Sequence, residues 1–451
     1  MKRGKKLLFL AGGLLLAVGL LVAVLLLLPE KSSGAENTAQ VVFQLDPAKV
    51  TKLEWTHRRE EMRFSKGESG WINEADSAFP TNNTLLDKMV EALKSVTATK
   101  TVENPADLKE YGLNDPDHII SVTVDGTTHK LMLGTQNSFS GDRYFSNGDG
   151  KVYLVSNELA GYFSYTLDGV LQLEQLPDLS SITGLIVERG DKKVEVKLEE
   201  DSKNTYSSHY KWFIGDRYLD TEDTEQIIAC IKAMQWKGCA DYNTTEEELK
   251  AYKLTTKLTV KCGDTDFVLY IGEEKQSKGY YARAEGSKMV NYVGYEIYNG
   301  AMDITAVNAL RPNEVLKMDW DTVGTVDVLL GENTYNLTCT EMPDVNGCAT
   351  GAFMWVLADD TNDKGKLCEL LDSMETTGYA DITPGAETLR LSLVFHRKVA
   401  EGEPFATITL NFYENSSETC IVTFDGVPTV LAKKSNVDNL IKAIEALVAP
   451  Q

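Results

Sequence analysis

The chain has 451 residues, 43% of them hydrophobic and 25% charged, a globular composition with room for two to four domains rather than a disordered one. Its net charge of −22 sets Asp+Glu 67 against Lys+Arg 45. Because Lys2, Arg3, Lys5 and Lys6 crowd the first six residues, the remainder is more acidic still, which excludes a phosphate-binding surface for nucleic acid and attachment to lipid through a basic patch.

In chain order, residues 1–6 form a basic cytoplasmic tail. Leu7–Leu28 is an uninterrupted run of 22 uncharged, mostly apolar residues, which as a helix spans roughly 33 Å, enough for a bilayer core. The preceding cations orient it with the N-terminus inside and the bulk outside. Ser33 and Ala35 offer a signal-peptidase pattern, but the run exceeds the roughly 7 to 15 residues of a signal h-region, so it reads as an uncleaved anchor. Residues 29–44, rich in Ser, Glu and Asn, read as a linker.

The rest repeats. Trp71, Trp212 and Trp355 recur at intervals of 141 and 143; Tyr111 and Tyr252, like Gly190 and Gly331, are 141 apart; Gly134 and Gly272, like Gly141 and Gly279, are 138 apart. Three tandem units follow, at 45–176, 177–311 and 312–451, with Pro177 and Pro312 at the junctions. The fold class expected is α+β: a transmembrane helix, then three units of antiparallel sheet, each packed with one or two helices. Every unit opens with a period-2 strand pair, at Val50, Ile182 and Val323. A tryptophan strand comes next, then polar cap candidates (Thr81 and Asn82; Thr221 and Asp223; Thr361 and Asp363) and amphipathic helices at 85–96, 225–234 and 365–374. A short helical piece ends at Tyr111-Gly112-Leu113, where glycine can turn left-handed and Pro116 prevents resumption; the second unit has Lys253 in place of that glycine, and the third lacks the segment. Hairpins at 118–134 and 257–272 turn on Asp-Gly and Gly-Asp. The third unit has strands at 388–398 and 406–414 and a final helix at 436–447 that reads as a cap on the array.

Chemistry-bearing motifs are absent. The histidines 57, 118, 129, 209 and 396 are scattered, with no HExxH, no GxSxG and no phosphate loop. Asp359, Asp360, Asn362 and Asp363 fail the calcium-loop register and fall at a helix start, where acids suit the macrodipole. Asn114, Asp115 and Asp117 read as a turn. The three tryptophans read as core centres rather than a row of stacking platforms. Alternation buries about half of the aromatic sets Tyr144, Phe145, Tyr153 and Tyr280, Tyr281, Tyr292. Seven cysteines without a CxxC pair argue against a disulfide framework; Cys339 and Cys348 are near enough in sequence to close one small loop, and most of the rest read as buried free thiols in a weakly oxidising surrounding.

The tryptophan strand, the capped helix, ADLKEYGLNDP, the two strands, LGTQNSFSGDRYF and KVYLV together resemble the bacterial DUF4340 family of unknown function over Val50–Val170, with units two and three as diverged copies. The resemblance implies a membrane-anchored protein associated with ABC-type transport systems and carries over Trp71, Tyr111, Gly112, Leu113, Gly134, Gly141 and Tyr144 as structural residues. The expectation is a non-enzymatic, single-pass extracytoplasmic module with no catalytic, cofactor-binding or metal-ligating residues, no cofactor and no nucleic-acid partner. It would be an accessory or scaffold for a membrane assembly such as an ABC-type exporter. The alternative is a binding module for a cell-envelope polymer or exported solute.

Overall fold

The computed structural model describes residues 40–199, 205–207, 209–263, 265–343, 349–357 and 367–449. The apolar run Leu7–Leu28, the cluster Asp359, Asp360, Asn362 and Asp363, the cap candidate Thr361, and Cys348 lie outside the described residues. Among the described residues no helix is long and apolar enough to cross a membrane. The chain divides into two compact units, one ending at Gln172 and the other beginning at Leu173.

Three antiparallel sheets of eight or nine strands dominate, with few helices. The fold is therefore mostly β, more so than the α+β expectation. In the first unit, β1 (Gln40–Gln44), β2 (Val50–His57), β3 (Glu60–Gly67), β4 (Gly70–Asn73), β5 (Ser95–Val102), β6 (His118–Val124), β7 (Thr127–Gln136), β8 (Arg143–Ser146) and β9 (Val152–Val155) form one sheet in the order β1-β5-β9-β8-β7-β6-β2-β3-β4. Helices α1 (Asn83–Glu91) and α2 (Glu158–Tyr162) belong to it. Residues 40–44, placed in the linker by composition, pair with β5 instead. The helix expected over 85–96 stops at Glu91, and Ser95–Val102 is a strand, because the β-branched run Val96, Thr97, Thr99, Thr101, Val102 loses side-chain freedom in a helix and gains packing in a sheet. Asn82 caps α1, its Oδ1 accepting from the Leu85 N–H at 3.0 Å.

The second sheet is built from β10 (Ile182–Arg189), β11 (Lys192–Leu198), β12 (Trp212–Ile214), β13 (Arg217–Tyr218), β14 (Cys239–Asp241), β15 (Thr256–Cys262), β16 (Thr265–Lys275), β17 (Gly279–Ala284) and β18 (Val290–Val293). Its order is β13-β12-β11-β10-β15-β16-β17-β18-β14, and it carries α3 (Thr221–Lys232), α4 (Glu246–Leu249) and α5 (Tyr295–Thr305). The cap of α3 is Asp220, which accepts from the Asp223 N–H at 3.0 Å, rather than Thr221 or Asp223. The third sheet holds β19 (Val323–Leu330), β20 (Asn333–Pro343), β21 (Ala349–Leu357), β22 (Thr376–Tyr379), β23 (Leu389–Arg397), β24 (Thr407–Glu414), β25 (Thr419–Phe424) and β26 (Val427–Lys433). They run β21-β20-β19-β23-β24-β25-β26-β22, with α6 (Leu367–Asp372) and α7 (Lys434–Val448).

Set aside β1 and β13, number the strands 1 to 8 within each sheet, and all three share one order, 3-2-1-5-6-7-8-4. The third sheet departs in sequence but not in topology: between β22 and β23 a 3-10 turn at Ala386–Thr388 stands where the Tyr-Gly-Leu piece would be. A helix follows the eighth strand each time, as α2, α5 and α7, so the C-terminal helix is the third instance of a repeated element rather than a special cap. In the second and third sheets this helix packs beside the one after the tryptophan strand, α3 with α5 and α6 with α7. Apolar stripes such as Ile228 and Ile231 on α3 and Ile297, Ala301 and Ile304 on α5 close over Val187, Val196, Leu258 and Leu269 of the sheet.

A segment of the second sheet also enters the core of the third. Tyr206 and Tyr210 belong to the hydrophobic cluster of the third sheet, together with Trp355, Phe395 and Phe412, and the Tyr379 hydroxyl donates to the Tyr218 carbonyl at 3.1 Å. Pro312 thus marks a change of sheet within one compact unit.

Candidate functional site

The residues carried by the family resemblance gather mostly at one corner of the first sheet. The 3-10 turn Leu108–Tyr111 ends on Gly112, which is left-handed at φ 66°, a conformation open to glycine without strain. Gly134 on β7 lies so close that a Cβ there would collide with the Tyr111 carbonyl oxygen. The Tyr111 and Tyr144 rings meet edge to face at 5.0 Å, and Leu113 is buried beneath. Trp71 stands apart on β4, where its indole N–H donates to Asp87 Oδ1 at 2.8 Å and ties the edge strand to α1.

What this corner supports is the loop between β7 and β8. Asn137 organises it: Oδ1 accepts from the backbone N–H groups of Phe139 at 3.0 Å and Ser140 at 3.1 Å, and Nδ2 donates to the Tyr144 hydroxyl at 2.8 Å. The backbone closes through Asn137 N–H to the Asp142 carbonyl at 2.7 Å and Gly141 N–H to the Asn137 carbonyl at 2.9 Å. At the base, Arg143 donates to the Gly134 carbonyl at 2.8 Å, to Asn157 Oδ1 at 3.0 Å and to Asp117 at 3.1 Å. A well-braced loop therefore presents Phe139, whose side chain is 99% exposed. The second sheet repeats the corner, with Tyr252 against Tyr281 at 4.9 Å and Gly272 under the Tyr252 carbonyl. Residues 276–278 alone connect its β16 and β17, and no phenylalanine stands there. Sequence reasoning passed over Phe139; the signal was an apolar ring isolated in the polar turn Asn-Ser-Phe-Ser-Gly-Asp.

A second feature lies in the second unit, a cleft of about 1000 Å³ bordered by Trp212, Tyr210, Lys211, Glu225, Lys232 and Arg397. Tyr206 and Tyr210 of its lining cluster with Tyr218, with rings 4.4 Å apart for Tyr210–Tyr218 and 5.6 Å apart for Tyr206–Tyr210. None of these hydroxyls makes a hydrogen bond of good geometry, and burial pushes all three phenols well above their usual range.

Trp71, Trp212 and Trp355 are all buried, as are Phe145, Tyr153 and Tyr292 of the aromatic sets. The histidines are less scattered than their numbers suggest. Register sets His57 opposite His118 on β2 and β6, rings stacked at 5.0 Å; His396 meets Asp327 at 2.8 Å and His209 approaches Asp319 at 3.7 Å. Among the described residues, no group of three or more His, Cys, Asp or Glu side chains is placed to hold a metal ion. Cys339, Cys368 and Cys420 are buried free thiols, whereas Cys230, Cys239 and Cys262 are half-buried.

Fold and corner together define a repeat protein of mostly β units with one sheet order. It carries a DUF4340 domain: residues 71–213 match the family described as "Domain of unknown function (DUF4340)". That match runs from the tryptophan strand β4 to its counterpart β12, one period of the repeat taken in a later frame than Val50–Val170. No curated protein and no solved structure matches the chain.

Proposed function

We propose that the chain is a non-enzymatic, single-pass extracytoplasmic module that serves a membrane assembly, an ABC-type exporter by family association, through protein contacts made by the Phe139 loop. The observation that carries this reading is a fully exposed phenylalanine on a loop held by its own hydrogen-bond network. Aromatic side chains on rigid supports are the residues that dominate binding energy at protein interfaces, because little conformational freedom is lost on docking. Anchoring is supported by Leu7–Leu28 with Lys2, Arg3, Lys5 and Lys6 before it. The test is a photo-crosslinking side chain at position 139 in native membranes, with one at Thr127, beside the β6–β7 turn, as control. Recovery of a transporter's membrane subunit from position 139 alone supports the reading; equal labelling from both positions, or none, sinks it.

The cleft favours a second reading, a binding module for an envelope polymer or exported solute, since Lys211, Lys232 and Arg397 with Glu225 on its rim suit a polar ligand. Retention of the protein on isolated envelope polymer, abolished by Lys232→Glu, would favour it over the first.

A further inference from the structure

The third sheet brings together two cysteines that sequence spacing does not connect. Cys339 on β20 is opposite Trp355 of β21, and Cys368 is on α6, which packs on β21. Both are 3% exposed within the same core cluster. The two side chains are near enough that each shifts the other's ionisation, Cys339 downward and Cys368 upward, while Cys339 also reaches the Trp320 carbonyl at 3.9 Å. The repeat shows what this pair replaces. The spacing that carries Gly190 onto Gly331 carries Leu198 onto Cys339, and the helix alignment carries Ile228 onto Cys368. In the second sheet both positions are aliphatic, Ile228 in its core and Leu198 packed against it. Two apolar positions of the core have thus become two thiols, in one copy.

We propose that Cys339 and Cys368 are a redox pair that closes into a disulfide, stapling α6 to the β20–β21 hairpin, with a small-molecule disulfide as oxidant. The Cys339 thiolate attacks one sulfur of the small disulfide, giving a mixed disulfide and releasing one thiolate. The Cys368 thiolate then attacks the Cys339 sulfur, closing the protein bond and releasing the second. The two cysteine protons end on the two small thiols, so one disulfide is reduced as one is formed. The neighbouring Cys368 holds the Cys339 thiol below its usual range, which makes Cys339 the attacking sulfur. Because the pair is buried, exchange takes place when α6 opens locally or before it docks. The chemistry is independent of the proposed function, since the oxidant is supplied in the test.

The experiment uses the full chain purified in detergent micelles, equilibrated with oxidised or reduced glutathione, then alkylated under denaturing conditions and mapped by peptide mass. The expected result with oxidised glutathione is a Cys339–Cys368 linked peptide, with Cys230, Cys239, Cys262 and Cys420 still alkylated. A rise of roughly 5 to 10 °C in the melting midpoint of the second unit should accompany it, absent in Cys368→Ser. Full alkylation of both cysteines after oxidation, or a Cys339–Cys348 link in its place, would overturn the proposal without recourse to any variant.

Discussion

Gly126, in the turn between β6 and β7, and Gly134, within β7, are glycine for opposite reasons. Gly134 has ordinary backbone angles but abuts the Tyr111 carbonyl, whereas Gly126 has φ 80° and open space around it. Gly134→Ala should therefore cost about 3 kcal/mol by overpacking against backbone and Gly126→Ala only about 1 kcal/mol of left-handed strain, as read from urea midpoints of the first unit. At the matching corner of the second sheet, Lys253 holds φ 46° where the first sheet has Gly112. The helical piece ends in the same place, through the same left-handed turn, at a cost that glycine avoids. Lys253→Gly should stabilise by about 0.5 to 1 kcal/mol, since the 2.7 Å ion pair it gives up with Glu273 is exposed on both sides and contributes little. A lower urea midpoint for this variant would contradict that account. These glycine positions were legible as anchors of the repeat; which of them is needed for space and which for φ was not, because spacing carries no information about what lies across a sheet.

Strand pairing produces the one titrating contact in the first unit with a resolved histidine shift. Burial lowers the His118 pKa, and the stacked His57 ring and Arg143 push in the same direction against Asp117 and the Phe163 carbonyl. Below about pH 6.5 the unfolded chain binds a proton that the folded imidazole refuses. Stability is then fully present above that value and falls as pH drops toward the lower folded pKa. Denaturation of the first unit followed from pH 8 to 5 should show this slope, and His118→Gln should flatten it; an unchanged slope would assign the loss to other groups. Elements were unevenly legible. The hairpins came through because period-2 alternation and Asp-Gly turns are local signals. Helix α5 went unread because its buried face rests on Gly300 and Ala301 beside Ile297 and Ile304, small residues that give the stripe little contrast.

For the whole molecule, the three-fold repeat was visible and the sheet order was not, since the joint between strands 1 and 5, such as Val50 opposite Val124, is made across more than seventy residues. Nor did the sequence distinguish a junction between sheets from a junction between cores. Because Tyr206 and Tyr210 are buried in the cluster of the third sheet, residues 173–451 should unfold in one cooperative transition. Fragments 173–311 and 312–451 made separately should lack it and bind hydrophobic dyes. Two independent sharp transitions from the separated fragments would show that the shared aromatic core contributes little.

The common order 3-2-1-5-6-7-8-4 also governs how the chain assembles as it is made. In every copy, strands 1 to 3 can form as a meander, leaving the edge of strand 1 bare until strand 5 arrives. In the second and third sheets strand 4 stays unpaired until strand 8 emerges about fifty residues later, as with Cys239–Asp241 and Val290–Val293, whereas in the first sheet β1 is already there to pair with it. For that interval a neighbouring copy offers strands of like position and alternation to the wrong edge, the setting in which repeat proteins misassemble by exchanging segments. The drift in sequence among the copies, down to Lys253 at a glycine position and cysteines at aliphatic ones, lowers the complementarity of such mispaired strands and so keeps each nascent copy to its own partners.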